Sequence, residues 1–268
     1  MGEDEKRLDD LTARQTREIE YHVHHAALLR DRTPFYGVLT GRKTKWWNHY
    51  WVSHSELLTE DIAGKRLLVP GCGGGFDAVI VAKLGANVSA FDISPDMLLV
   101  TAESAQDARV EIELLPMAFE ALSYADDTFD VIYIRDVLHH CDVERSVREL
   151  ARVARLGAWV VIDELYTHSL LQRIRNSWLG RSLYPAVRPV IYGNCEEYIT
   201  QDERKLNELD LDCILASLCG ARCQFFNFVV NRFLPDWDAA EMVDRVLMHG
   251  LPGRLVAGRF VLSGRVRK

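Results

Sequence analysis

Apolar and polar positions along the chain fall into three regimes. Residues 3 to about 31 are rich in Glu, Arg, Ala and Leu, with no Pro or Gly from residue 3 until Pro34, and read as one long helix. From residue 62 short apolar runs alternate with amphipathic stretches. The runs predict strands over 67–70, 88–92, 110–115, 129–134 and 158–162. Helices are predicted over 76–84, 95–106 and about 143–154, with Ser94 as N-cap of the second and Pro95 at its first position. The 129–134 run is apolar at nearly every position, which predicts a strand buried on both faces. Strands alternating with helices imply an α/β fold: a doubly wound, mostly parallel sheet with right-handed crossovers.

The third regime begins near residue 164, where periodicity loosens. Residues 164–205 hold Trp178, Tyr184, Pro185, Pro189, Tyr192 and Tyr198, a stretch too long for a simple connection, so a cap with helices of its own is predicted. A helix over 203–218 and strands over 224–230 and 259–262, the last extendable to residue 266, close the chain. With no βαβ-type helix between them, these late strands predict an antiparallel edge hairpin. The domain organisation follows: residues 1–60 as a helical, aromatic-rich arm or lid, and residues 61–268 as the main domain, with a cap insertion at about 166–205.

The first predicted strand breaks into glycines at 71, 73, 74 and 75, and a helix follows at once. Strand, glycine turn, helix is the opening unit of a nucleotide-binding fold, since glycine lets backbone N–H groups and a helix N-terminus approach a ligand. A dinucleotide fingerprint needs a further glycine at position 76, where Phe76 stands, so a nicotinamide-dependent oxidoreductase is disfavoured. Asp92 ends the second strand, where a carboxylate can accept hydrogen bonds from both hydroxyls of a ribose. An adenosyl ligand without a pyrophosphate fits these features.

Composition narrows the class. With 48% hydrophobic and 26% charged residues among 268, this is an ordinary globular composition. A net charge of −7 argues against nucleic acid as partner. No apolar run approaches a membrane span, and the charged start MGEDEKRLDDLTARQ is unlike a signal peptide. The six cysteines form no C-x-x-C pair, so reduced thiols and a cytoplasmic location are expected. No ligand spacing accompanies the arm histidines 22, 24 and 25, and no metal is expected. Three of the six tryptophans crowd into 46–51. At helical spacing Trp46 and Trp47 with Tyr50 and Trp51 form an aromatic ridge, which either packs the arm to the core or serves as a lid.

Four motifs in order resemble the class I S-adenosylmethionine-dependent methyltransferases, in the small-molecule branch related to the quinone-biosynthesis enzymes (methyltransferase type 11). They are LLVPGCGGG at 67–75, AFDISPDML at 90–98, ALSYADDTFD at 121–130, and VLHH at 137–140 with RELARV at 148–153. The resemblance covers roughly residues 64–165 and implies a Rossmann-like, seven-stranded sheet with S-adenosyl-L-methionine as cofactor. It assigns cofactor contacts to Gly71, Cys72, Gly73, Asp77, Asp92, Ile93, Met97, Ala118, Phe119 and Arg135. Two positions depart from the family. Val69 stands where an acid is usual, with Asp77 as a partial replacement, and Ala118 stands where an acid often faces the adenine.

Methyl transfer from a sulfonium is an in-line displacement dominated by positioning, and a hydroxyl acceptor gains from a general base. His139 and His140 follow the fourth strand, and Asp163 and Glu164 end the fifth. Relatives in the family place a histidine and an acid there. His139, His140, Glu164 and, from the arm, Tyr21 are the catalytic candidates, with a plain structural role for the histidines as the alternative. Carbon methylation would instead use aromatic faces, with Tyr21 and, as substrate or lid residues, Trp46, Trp47, Tyr192 and Tyr198. The implied function is O- or C-methylation of an apolar or aromatic small molecule, in natural-product or secondary metabolism. Homo-oligomerisation through the arm is a further expectation, and a cofactor-binding scaffold without chemistry is the alternative.

Overall fold

The computed structural model describes residues 3–30, 49–178, 182, 204–226, 238–250 and 253–268. Its centre is β4 (Phe129–Arg135), whose Val131, Ile132, Tyr133 and Ile134 are fully buried. Burial on both faces explains why that run does not alternate. Around it assemble β1 (Arg66–Pro70), β2 (Asn87–Asp92), β3 (Ile112–Pro116), β5 (Ala154–Leu165), β6 (Leu218–Phe226) and β7 (Arg259–Val266), in the order β3-β2-β1-β4-β5-β7-β6. The first five are parallel, while β7 runs antiparallel to both β5 and β6. The expected antiparallel pair exists, but β7 lies inside the sheet and β6 forms the edge.

Helices α3 (Phe76–Lys83), α4 (Pro95–Ala108) and α5 (Val143–Val153) supply the crossovers. Ser94 caps α4 by accepting the Met97 N–H, and Asp142 caps α5 by accepting that of Arg145. The long helix α1 (Glu3–Arg30) packs on α4, where Ala26 and Leu29 meet Met97 and Val100. By contrast α2 (His49–Leu57) lies against β5 and β7, with Val52 and Leu57 in the main core. The five described cysteines are free thiols.

Several boundaries differ from the expectation. β5 begins at Ala154, because pairing to β4 jumps from Phe129–Ala154 to Val131–Trp159 and bulges out Leu156 and the left-handed Gly157. The helix expected over 203–218 is the shorter α7 (Glu208–Ala216). Leu206 is spent on a bridge to Tyr166, and Asn207 and Asp210 form a capping box that starts the helix. Next, β6 starts at Leu218 rather than 224, and α8 (Asp238–Gly250) and α9 (Gly253–Val256) occupy a stretch for which no helix was expected. Of the cap, α6 (Ser169–Asn176) is described, and most of 179–203 lies outside the described residues.

Candidate active site

All five parallel strands end on one edge of the sheet, and the strand order reverses between β1 and β4. That switch point leaves a crevice beyond the strand ends, the usual ligand site in this architecture. Here it is a cavity of about 420 Å³. All ten residues expected at the cofactor line it, as do His139 and His140.

The glycine loop is shaped by close contact. Gly71, Gly73 and Gly75 have φ of 57°, 52° and 83°, in the left-handed region. A Cβ on Gly71 would collide with Val137 Cγ2, and one on Gly75 would stand 2.8 Å from Thr101 Cγ2. The loop is tied down from both sides. Gly73 N–H donates to Asp92 Oδ2 and Ser94 N–H to Asp92 Oδ1, each at 2.9 Å. Thr101 Oγ1 donates to the Gly73 carbonyl at 2.6 Å and Ser104 Oγ to that of Gly74 at 3.1 Å. Asp92 therefore links loop and strand, and its two oxygens keep further lone pairs for a ligand. Burial pushes the Cys72 thiol up to about 12, with Asp92 adding to the effect, so Cys72 is a packing group rather than a nucleophile.

Asp77, at the start of α3, faces Arg135 at the end of β4. Arg135 Nε and Nη2 lie 2.7 and 2.6 Å from Asp77 Oδ2. Burial alone would raise the carboxyl, but the guanidinium foremost, with nearby His54 adding to it, holds Asp77 below the usual carboxylate range. His54 Nε2 is 3.6 Å from Oδ1, beyond hydrogen-bond reach. The guanidinium also stacks over the Tyr50 ring at 4.4 Å from its centroid. The charge expected of Asp77 as a substitute for an acid at 69 is thus matched inside the wall by Arg135.

A second pair stands across the cavity. The turn of 3-10 helix Leu138–His140 follows β4, and His139 Nδ1 lies 2.8 Å from Glu164 Oε2 at the end of β5. Glu164 Oε1 accepts the N–H groups of Val137 and Leu138, each at 2.6 Å. Burial raises the Glu164 carboxyl, but the imidazole and these two donors together hold it below its usual range. Glu164 does not line the cavity; it sits behind His139, which does. His140, whose ring centroid is 4.1 Å from that of His139, places Nδ1 3.2 Å from Glu18 Oε1 on α1.

The arm is expected to reach the site through Tyr21, and α1 reaches it through other residues. Gln15, Glu18, His22, His25 and Leu29 line the cavity, a stripe at alternating spacings of three and four. That spacing was legible in the sequence, with a carboxylate and two histidines on it. Tyr21 falls off the stripe and does not line the cavity; its ring stacks on His25, with centroids 6.3 Å apart. Burial lowers the His22 imidazole, with His140 adding to this and Asp92 and Glu18 opposing it. Trp46, Trp47, Tyr192 and Tyr198 lie outside the described residues.

Asp163, beside Glu164 on β5, points to a separate network. It is bonded to His49 Nδ1 at 2.7 Å and to Arg259 at 2.9 Å, and the guanidinium foremost, with the contact to His49, overcomes its burial and lowers its carboxyl. Ligand atoms of Asp136, His139 and Glu164 lie within 4.8 Å of one another. Glu164 is already engaged by His139 and two backbone donors, and Asp136 by Arg259 at 2.6 Å, which makes this a poor cation site.

This fold and site define a nucleotide-binding domain with a histidine–carboxylate pair beside its glycine loop. Residues 68–162 match the family described as methyltransferase domain. Among curated proteins, the chain is 32% identical over 99 residues to the ubiquinone biosynthesis O-methyltransferase of Methylobacterium sp. (strain 4-46), covering 37% of this chain and 40% of that one. It is likewise 32% identical over 113 residues to the protein of the same name from Ralstonia nicotianae, covering 41% and 48%. The chain thus spans less than half the length of these relatives. The S-adenosylmethionine dependent methyltransferase from Mesorhizobium loti superposes with a TM-score of 0.51 at 17% identity, over 81% of this chain and 98% of that one, a likeness of fold. Residues 68–162 are thus similar to a methyltransferase domain, on a fold shared with an S-adenosylmethionine-dependent methyltransferase.

Proposed function

We propose that the protein transfers a methyl group from S-adenosylmethionine to a hydroxyl on an apolar or aromatic small molecule. The residues present suit the cofactor. The left-handed glycines let the loop approach a ligand, and Asp92 stands at the strand end with capacity for ribose hydroxyls. Gly71, Cys72, Gly73, Ile93 and Met97 would hold its methionyl and ribose parts, and Ala118 and Phe119 the adenine edge. Arg135 and Asp77 would meet it as a neutral pair. Bound there, the cofactor supplies an electrophilic methyl group on a sulfonium.

The observation that carries the choice of oxygen is the His139–Glu164 pair. Glu164 fixes the ring through Nδ1, so His139 is oriented by a buried carboxylate at the cavity wall, the arrangement that lets an imidazole take a proton from a hydroxyl. Carbon methylation would rest on aromatic faces, of which Tyr21 does not line the cavity and Trp46, Trp47, Tyr192 and Tyr198 lie outside the described residues. Under the same proposal residues 1–60 act as arm and lid for the domain of 61–268, with 166–205 as cap. A cytoplasmic setting in natural-product metabolism and self-association through the arm belong to the proposal. Among the described residues no helix is long and apolar enough to cross a membrane.

The test is calorimetry with S-adenosylmethionine and S-adenosylhomocysteine, followed by transfer of labelled methyl to a panel of hydroxylated aromatics. Saturable binding and label on oxygen support the proposal. Absence of cofactor binding sinks it, and binding without turnover across the panel moves the protein to the scaffold alternative.

A further inference from the structure

The helix α1 does more than cover the cavity: it grips the turn that carries His139 and His140. Arg14 Nη2 donates to the His139 carbonyl at 2.9 Å and Nη1 to the Cys141 carbonyl at 3.4 Å. One helical turn on, Glu18 Oε1 stands 3.2 Å from His140 Nδ1. Between them Gln15 Nε2 donates to Glu120 Oε2 at 3.3 Å, and Glu120 Oε1 in turn accepts the Asp142 N–H at 2.9 Å. Positions 14 and 18 share a helix face, so both side chains reach the same turn from one rigid element.

We infer that Arg14 and Glu18 are positioning residues, which hold the 139–141 turn so that His139 stays aligned between Glu164 and the cavity. The physical reason lies in the turn itself. Its 3-10 segment is three residues long, and a short segment of this kind has little rigidity of its own. Glu164 fixes the turn at its start, through Val137 N–H and Leu138 N–H. Arg14 fixes it at its end through two carbonyls, and charge-assisted bonds of this kind are the stronger sort. Glu18 sets a buried carboxylate against the neighbouring imidazole, close to its Nδ1 without a hydrogen bond. The ring of His139 is thereby held from both flanks. The catalytic meaning of this clamp rests on the proposed role of His139, whereas the clamp itself is a matter of geometry.

The two are tested separately. The full chain, labelled with 15N-histidine, is compared with Arg14→Ala and Glu18→Gln by NMR at neutral pH. The readout is exchange of the His139 Nδ1 proton held by Glu164, with the His49 Nδ1 proton held by Asp163 as internal control. The clamp predicts that this exchange quickens about tenfold in either variant while the His49 signal stays, and that the His140 resonances move in Glu18→Gln. Unchanged His139 exchange in both variants overturns it. Glu18→Gln is nearly isosteric and keeps the test decisive where Arg14→Ala does not fold, since unchanged exchange in that variant alone then overturns the clamp. Calorimetry of the wild-type chain with S-adenosylhomocysteine tests the methyltransferase proposal. No binding there, with His139 altered in the variants, supports the clamp and removes the proposal.

Discussion

Glu164 Oε2 lies 2.8 Å from Nδ1 of His139 while its other oxygen takes two backbone N–H groups from the turn that carries that histidine. One carboxylate thus sets both the place of the turn and the orientation of the ring. Replacing His139 by Ala is expected to lower kcat for a hydroxyl acceptor by about a hundredfold to ten-thousandfold, the range for loss of a general base. Affinity for S-adenosylhomocysteine should hold. Steady-state kinetics beside calorimetry checks this, and a kcat within a few fold of wild type would remove the base role.

Asp92 is expected to matter at the cofactor instead. Asp92→Asn sets an amide N–H against either the Gly73 or the Ser94 donor and removes the charge. Dissociation constants for S-adenosylmethionine should rise by about ten- to a hundredfold, as expected for bonds to a charged acceptor. Isothermal calorimetry reads this directly, and an unchanged constant would exclude a ribose contact at Asp92.

Gly71 is constrained twice, by its φ of 57° and by Val137. Gly71→Ala should lower stability by about 1–3 kcal/mol, through backbone strain and overpacking together. Adding Val137→Ala should recover the overpacking share but not the backbone share. Urea denaturation of the single and double variants separates the two, and full recovery would show that φ carries no strain here.

Arg135 neutralises a buried acid. Arg135→Met leaves Asp77 without its partner, so stability should fall by about 3–5 kcal/mol, the range for an orphaned buried charge. Arg135→Met/Asp77→Asn should regain part of it. Thermal melting of the three proteins is the measurement, and a double variant no better than the single would argue that Arg135 acts by packing on Tyr50 alone.

The lowered carboxyls of Asp77, Asp163 and Glu164 predict a pH dependence. Each binds its proton less readily folded than unfolded, so between the two pKa values the unfolded chain holds more protons. Their contribution is fully present above the unfolded values of about 4 and is lost as pH falls below them. Stability should therefore drop steeply below about pH 4, and less steeply in Glu164→Gln. Denaturation followed from pH 7 down to 3 tests the slope.

Much of this was legible along the chain. The 129–134 run announced a doubly buried strand, Gly71 to Gly75 a ligand turn, and Asp92 its carboxylate partner, because period, length and glycine are local properties. The capping box at Asn207 and Asp210 is legible too, although the apolar period continues across it. The antiparallel seat of β7 between β5 and β6 was not, since pairing partners far apart in sequence leave no local mark.

The sequence by itself determined the class of domain and which loop and strand-end residues line the cavity beside Asp92, since those residues sit in motifs of fixed spacing on consecutive strand ends. Only the tertiary structure decided the rest of the wall. It paired Arg135 with Asp77, set Glu164 behind His139, and laid α1 across the strand ends so that Glu18 and His22 face the cavity while Tyr21 turns aside. Each of these joins elements whose separation in sequence is set by the fold, and the face a helix presents is fixed by what it packs against.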